Sequence, residues 1–411
     1  MTKYLLVIGD GMADDPVPEL GGRTPLQAAQ IPTIDALCAK GILGTVRNCP
    51  PGLPAGSDTA ITAILGCDPR RYYTGRAPLE AAAAGLKLNP GDVAYRCNLV
   101  TVEDGALPFG DRRLLSHSGG SVDGDTSDAL LAALLADAEF AAAAHRARLT
   151  LLPGHSFRHL AVQQGASVQG LDLTPPHDHL GQPLGPLLPQ GSETASALRC
   201  LMELAHSILD HHPLNEARRA AGALPANGIW FWAEGTAAEL PDFAGRFGHT
   251  GGVVSAVPLC LGIAALLGLE PVQPEGATGE LDTDLESKVA ATLALLERHD
   301  FAVLHVEAPD ECTHNGDLAG KLQAIEWLDS RCLTPLLEAF AEKQWDYRIL
   351  LLSDHKTLTA TRGHDGAPVP FLLYDSRENT GGGQAFCEES ARLGPAYPDG
   401  AAACMRLLFE L

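Results

Sequence analysis

Residues 347–355 read YRILLLSDH, an apolar run that ends abruptly in serine, aspartate and histidine. A short, unbroken apolar run of this kind is the pattern of a strand buried on both faces. The same pattern recurs at 4–9 (YLLVIG), 229–233 (IWFWA), 301–306 (FAVLHV) and 369–374 (VPFLLY). Between 301–306 and 347–352 lies 317–343, whose apolar residues return at helical spacing. Buried strands alternating with helices predict an α/β fold, with a mostly parallel sheet sandwiched by helices.

The middle of the chain differs. Residues 125–148 (DTSDALLAALLADAEFAAAAHRAR) read as one Ala/Leu-rich helix opened by residues able to cap it. Strand-like 149–152 and 158–164 follow, and then LTPPHDHLGQPLGPLLPQG, too rich in proline and glycine for regular structure. Residues 113–190 are therefore expected to form a smaller α+β domain, inserted into a catalytic domain made of 1–112 and 191–411. The proline-rich stretch is its return linker, and 381–383 (GGG) reads as a loop.

The chain has 411 residues, 45% of them apolar and 19% charged, enough for a large core and more than one domain. Twenty-nine Lys and Arg stand against 51 Asp and Glu, a formal charge of −22 with no basic arm, which excludes a nucleic-acid-binding role. Such a surface repels phosphorylated metabolites, so an anionic substrate requires bound cations and a few placed arginines to invert the field locally. Ten scattered cysteines without a CxxC pair argue against a zinc knuckle and against a disulfide framework. The N-terminal apolar run is six residues long, too short for a signal peptide or a membrane span, and a soluble cytoplasmic protein is expected. Oligomeric state is not readable, and a homo-oligomer stays open.

Metal-capable side chains follow the strand patterns. Asp10 follows YLLVIG; Asp310 follows FAVLHVEAP, with His314 four residues on; Asp354 and His355 follow YRILLLS; His364 precedes VPFLLYD. Each alone reads as a cap, a turn residue or a surface pair. In open α/β sheets, however, sites gather at the carboxyl ends of strands, where these groups converge. Three aspartates and three histidines suit divalent manganese or zinc, and two such ions about 3.5–4 Å apart clamp both sides of a phosphoryl displacement. Ser57, in PGLPAGSDTAITAILG, opens a helical pattern. It reads equally as a helix cap or as a nucleophile placed where free amides favour phosphate.

Together, Asp10, Ser57, Asp310, His314, Asp354, His355 and His364 resemble the two-metal centre of the alkaline phosphatase superfamily. The chain is identified as resembling the archaeal-type, 2,3-bisphosphoglycerate-independent phosphoglycerate mutases on VIGDGMAD, PAGSDTA, YYTGRAPLEAA, RCNLVTV, FRHLAV, LTPPHD, ANGIWFW, EGATGELDTD, HVEAPDECTH and HDGAPVPFLLYD. The resemblance implies an alkaline-phosphatase-like sheet and two divalent ions: manganese first, with zinc, magnesium or cobalt as alternatives. One ion would be held by Asp310, His314 and His364, the other by Asp10, Asp354 and His355, with Ser57 as the nucleophile. It implies an isomerase that exchanges 3-phosphoglycerate and 2-phosphoglycerate through a phosphoserine, without bisphosphoglycerate, under an inserted domain that closes over the substrate. Lys356 departs from the small residue or proline common after the Asp-His pair.

Arg76, Arg96, Arg158 with His159, and Lys288 are the expected substrate-binding residues, because a guanidinium fork binds carboxylate or phosphate bidentately. Arg112 and Arg113 lie near the expected junction, and His177–Asp178 reads as a turn. Three other activities stand beside the mutase: a phosphatase with the same centre, a homoserine-kinase-like phosphotransferase suggested by IWFWAEG and EAPDE, and a metal-stabilised binding module. The kinase lacks a GxxxxGK[ST] loop in this sequence.

Overall fold

The computed structural model describes residues 2–382 and 384–410; of the loop expected at 381–383, Gly383 lies outside them. The strands in chain order are β1 Lys3–Gly9, β2 Ile42–Val46, β3 Asp92–Val102, β4 Leu114–Ser116, β5 Leu149–His155, β6 Arg158–Gln164, β7 Gly228–Thr236, β8 Gly251–Val254, β9 Glu270–Val272, β10 Phe301–Val306, β11 Tyr347–Leu352, β12 Lys356–Leu358, β13 Gly363–Asp365, β14 Val369–Asp375 and β15 Ala396–Tyr397. The chain divides into two compact units, one of Met1–Tyr73, Ala82–Gly85 and Glu239–Leu411, the other of Thr74–Ala81 and Leu86–Ala238.

The first unit carries an eight-stranded sheet in the order β15-β2-β14-β11-β1-β10-β8-β9. Its pairings are parallel except that β14 runs antiparallel to both β11 and β2. Leu5, Leu6, Val7 and Ile8 are all fully buried, so β1 is covered on both faces, as its unbroken apolar run predicts. Leu5 and Val7 pack in one cluster with Leu304, Ile349, Leu351, Ile325, Leu328 and Phe340. The helix expected over 317–343 is three pieces: Leu318–Trp327, a π-helical turn Leu328–Leu333 and Thr334–Glu342. Pro335 interrupts the ladder because it has no N–H to donate. Asp329 in the π turn is turned to another task, accepting from Thr33 and Ile34 N–H at the start of the helix Pro32–Cys38.

The second unit is antiparallel. β3 is flanked by β6 on one side and β7 on the other, β5 pairs with β6, and β4 pairs antiparallel with the last residues of β3. Strand 229–233 therefore belongs here and not to the parallel sheet. These pairings also make the unit wider than the expected 113–190, because β3 and β7 lie outside those limits and hydrogen-bond to each other. The helix expected over 125–148 is two, Gly124–Ala136 and Ala138–Arg146. Asp137 ends the first and caps the second by accepting from Glu139 and Phe140 N–H. The proline-rich segment holds only the 3-10 turns Pro176–His179 and Gly185–Leu187. Among the described residues no helix is long and apolar enough to cross a membrane.

One buried ion pair joins the loops at the sheet edge of the first unit. The Lys321 ammonium donates to Asp14 Oδ2 at 2.8 Å and to the Thr357 carbonyl at 2.7 Å, and both charged groups are inaccessible to solvent. Asp14 also accepts from the Thr359 N–H and hydroxyl, which pins the loop after β1 to the loop after β11. Removing one partner of such a pair strands the other charge. Lys321→Met is expected to lower unfolding stability by about 3–5 kcal/mol, read as a shift in urea midpoint with unchanged slope.

Candidate metal centre

The topology gathers the expected groups at one sheet edge. β1, β10 and β11 are parallel, so Asp10, Asp310 and the Asp354–His355 pair leave the sheet on the same side. β14 is antiparallel to β11, which puts its beginning, and His364 before it, at that edge too. β2 is antiparallel to β14, so the loop that leads to Ser57 leaves from there as well. Two sets of three donors result, Asp310–His314–His364 and Asp10–Asp310–His355, the ligand atoms of each set lying within 4.8 Å of one another.

Asp10 and Asp354 form the buried floor. Asp354 Oδ1 accepts from the Gly11 and His355 N–H groups at 3.1 and 2.8 Å. Asp10 Oδ2 accepts from the Ser57 hydroxyl at 3.2 Å and lies 3.0 Å from His305 Nε2. The other oxygens, Asp10 Oδ1 and Asp354 Oδ2, are buried without a hydrogen-bond partner among the described residues. They lie 3.5 and 3.2 Å from His355 Nε2. Burial raises the Asp10 pKa well above the carboxylate range, and the charges of Asp354 and Asp310 add to the effect.

The three imidazoles are oriented alike. Nδ1 of His314 is 2.8 Å from the Arg362 carbonyl, Nδ1 of His364 is 3.2 Å from that of Ala55, and Nδ1 of His355 is 3.3 Å from that of Lys356. A carbonyl only accepts, so each Nδ1 carries a proton, and Nε2 is the atom each ring turns to the cluster, a lone pair once its own proton is displaced. Nε2 of His314 and His364 lie 2.9 Å apart, facing Asp310 at 3.1 and 3.4 Å. Hydrogen bonding to Asp310, opposed by burial, holds His314 up at about 9, so a cation bound there displaces a proton. Burial works to raise Asp310, but its hydrogen bonds to His314 and His364 prevail and hold it well below the usual range. Orphaned carboxylate oxygens and converging imidazole lone pairs fit divalent metal ions.

Ser57 is the first residue of the helix Ser57–Ile64, and Gly56 takes the cap position. The cap reading of Ser57 therefore does not hold. Its hydroxyl instead lies 3.2 Å from both Asp10 Oδ2 and His355 Nε2. Gly11 allows the floor to close: its φ is +60°, and a Cβ there would sit 2.6 Å from Asp310 Oδ1 and 2.4 Å from Thr357 Oγ1. Thr357 in turn donates to Asp310 Oδ1 at 2.5 Å.

The substrate-binding candidates separate. In the second unit Arg76 and Arg96 share Glu80, at 3.0 and 3.1 Å, and the Arg96 guanidinium lies over Trp232. Arg158 is exposed beside Phe157. His159 is a core residue instead: it is 2% exposed, with Nδ1 accepting from Gly154 N–H and Nε2 against the Ser127 hydroxyl. Lys288 is also corrected. It is fully buried in the first unit, its ammonium donating to the main-chain oxygen of His305, and it cannot meet a substrate. Lys356 turns to Asp15 at 2.6 Å. Arg112 and Arg113 serve nearby main-chain carbonyls within the second unit, and His177 packs against Trp232 from a 3-10 turn. Sequence reasoning missed His305 and Thr357; the one signal was a lone histidine in the apolar run FAVLHV.

Gly11→Ala forces Asp310 and Thr357 apart. It is expected to weaken manganese binding at least about ten-fold, measured by titration calorimetry, with circular dichroism reporting an intact fold.

Known proteins extend this picture. The family 2,3-bisphosphoglycerate-independent phosphoglycerate mutase matches residues 38–215. A relative from Geobacter sulfurreducens, named a probable 2,3-bisphosphoglycerate-independent phosphoglycerate mutase, is 43% identical over 95% of each chain. One from Methanosarcina barkeri with that enzyme name is 41% identical, again over 95% of each. A solved protein of Pyrococcus horikoshii superposes with a TM-score of 0.80 at 29% identity, over 100% of this chain and 98% of that one. The cofactor-independent phosphoglycerate mutase of Thermoplasma acidophilum gives 0.64 at 25% identity, over 100% and 99%. With a sheet edge that gathers the donor set and relatives this similar across almost its whole length, the chain belongs to the 2,3-bisphosphoglycerate-independent phosphoglycerate mutase family.

Proposed function

We propose that the chain is an isomerase that interconverts 3-phosphoglycerate and 2-phosphoglycerate, the step shared by glycolysis and gluconeogenesis, without bisphosphoglycerate. The observation that carries this reading is the Ser57 hydroxyl, freed from capping and held against Asp10 and His355 at the start of a helix. Ser57 Oγ attacks the phosphorus, the bond from phosphorus to the C3 oxygen breaks, and that oxygen takes up the proton Ser57 gives up, so glycerate is released into the site with its C3 hydroxyl restored. The hydroxyl proton of Ser57 points to Asp10 Oδ2, and the first helical amides lack intrahelical acceptors and so favour phosphoryl oxygens. The 2-hydroxyl of glycerate then takes the phosphoryl group back from the serine, and no phosphate is lost.

Two divalent ions, manganese first, fit Asp310–His314–His364 and Asp10–Asp354–His355–Ser57; when bound they neutralise phosphoryl charge and make the serine a better nucleophile. Arg76, Arg96 and Arg158 are assigned to the anionic ends of the substrate.

A phosphorus NMR time course with 3-phosphoglycerate and manganese, without ATP or bisphosphoglycerate, tests the proposal. The expected outcome is growth of 2-phosphoglycerate to a constant ratio, abolished by Ser57→Ala and by chelation. Release of inorganic phosphate alone would make the enzyme a phosphatase, and an unchanged spectrum from metal-loaded protein would remove phosphoglycerate as the substrate.

A further inference from the structure

We propose that His305 is a positioning residue for Asp10, locked into one tautomer by Ser255; the proposal rests on reading Asp10 as a metal ligand. The carboxyl ends of three neighbouring strands meet here. Ser255 follows β8, His305 lies near the end of β10, and Asp10 follows β1, whose Ile8 is in register with His305. All three side chains are buried, His305 being 1% exposed.

The hydrogen bonds admit one arrangement. Asp10 Oδ2 is 3.0 Å from His305 Nε2, and with a cation bound Asp10 is a carboxylate, which can only accept, so Nε2 carries a proton. At Nδ1 the ring meets two groups able to donate to it, the Ser255 hydroxyl and, at 3.7 Å, the Cys260 thiol. Nδ1 is then a lone pair, and the Ser255 hydroxyl, 3.0 Å away, donates to it. Ser255 Oγ meanwhile accepts from the Val257 N–H at 3.0 Å, which leaves its own proton free for the ring. The chain runs from Val257 N–H through Ser255 Oγ–H to His305, and from Nε2–H to Asp10 Oδ2.

Its effect is on the other oxygen. With Oδ2 fixed by His305 and Ser57, the Asp10 carboxyl cannot rotate, and Oδ1, buried and without a partner, stays aimed into the donor cluster. Asp354 is held in the same manner by the Gly11 and His355 amides. For Asp10 the second fixed donor is a side chain, so it can be altered without touching the main chain.

The test uses the full chain. In zinc-loaded protein labelled with nitrogen-15 at histidine, the His305 ring, assigned by its loss in His305→Gln, is expected as the Nε2–H tautomer; an Nδ1–H ring overturns the proposal. Manganese titrations then follow the variants. His305→Leu is expected to weaken one class of site by about 10–100-fold and leave the class formed by Asp310, His314 and His364 unchanged. His305→Gln, whose amide N–H can take the place of Nε2–H, is expected to restore affinity to within a few-fold. Ser255→Ala, which touches no ligand, is expected to mix the two tautomers and weaken the same class of site. Equal loss from both classes would make His305 merely structural, and wild-type affinity in His305→Leu would overturn the proposal. Failure of the unaltered chain to bind manganese or zinc would instead remove the metal reading, and the proposal with it.

Discussion

Burying carboxylates side by side costs several kcal/mol per charge unless donors or cations meet them, and this constraint organises the first unit. Asp10 and Asp354 each have one oxygen satisfied by the protein and one left without a donor. The lysines close to this loop region are directed elsewhere: Lys288 to a main-chain oxygen, Lys321 to Asp14, Lys356 to Asp15. Internal positive charge is thus withheld from the floor, and the deficit is left for an external cation. In a chain of net charge −22 the local field favours cation capture, and a bound cation is what makes an anionic substrate tolerable.

The parallel sheet was legible because strands buried on both faces must be apolar throughout, as 4–9, 301–306 and 347–352 are. The donor residues were legible because each directly follows or precedes such a strand. Legibility failed where pairing decided the outcome. IWFWA looks like any buried strand, and only its partner β3 makes it antiparallel and part of the second unit. His159 and Lys288 read as charged or polar groups available to a ligand, yet both are spent inside the core. His305 is the converse, a residue ordinary in its own segment whose partners lie 295 and 50 positions away. Ser57 was open between cap and nucleophile because either role fits a helix start; the extended Gly56 takes the cap and leaves the Ser57 hydroxyl without that task.

The second unit treats its charges differently from the first. Arg76 and Arg96 converge on one carboxylate, Glu80, and burial pushes the Arg96 pKa down to about 10 although Glu80 opposes the shift.

The order of the sheet also has a consequence for synthesis. β1 is made long before either of its neighbours: Tyr4 pairs with Phe301 on one side and Arg348 on the other. At about 5–20 residues per second, an apolar strand waits roughly 15–60 s for its first partner. The antiparallel unit, whose strands all lie between Asp92 and Thr236, has every strand in hand before β10 exists. The nascent chain therefore holds every strand of that unit while β1 still lacks both partners, the situation in which chaperone protection matters most. The donor set is completed later still, because Asp354, His355 and His364 follow β10 in the chain.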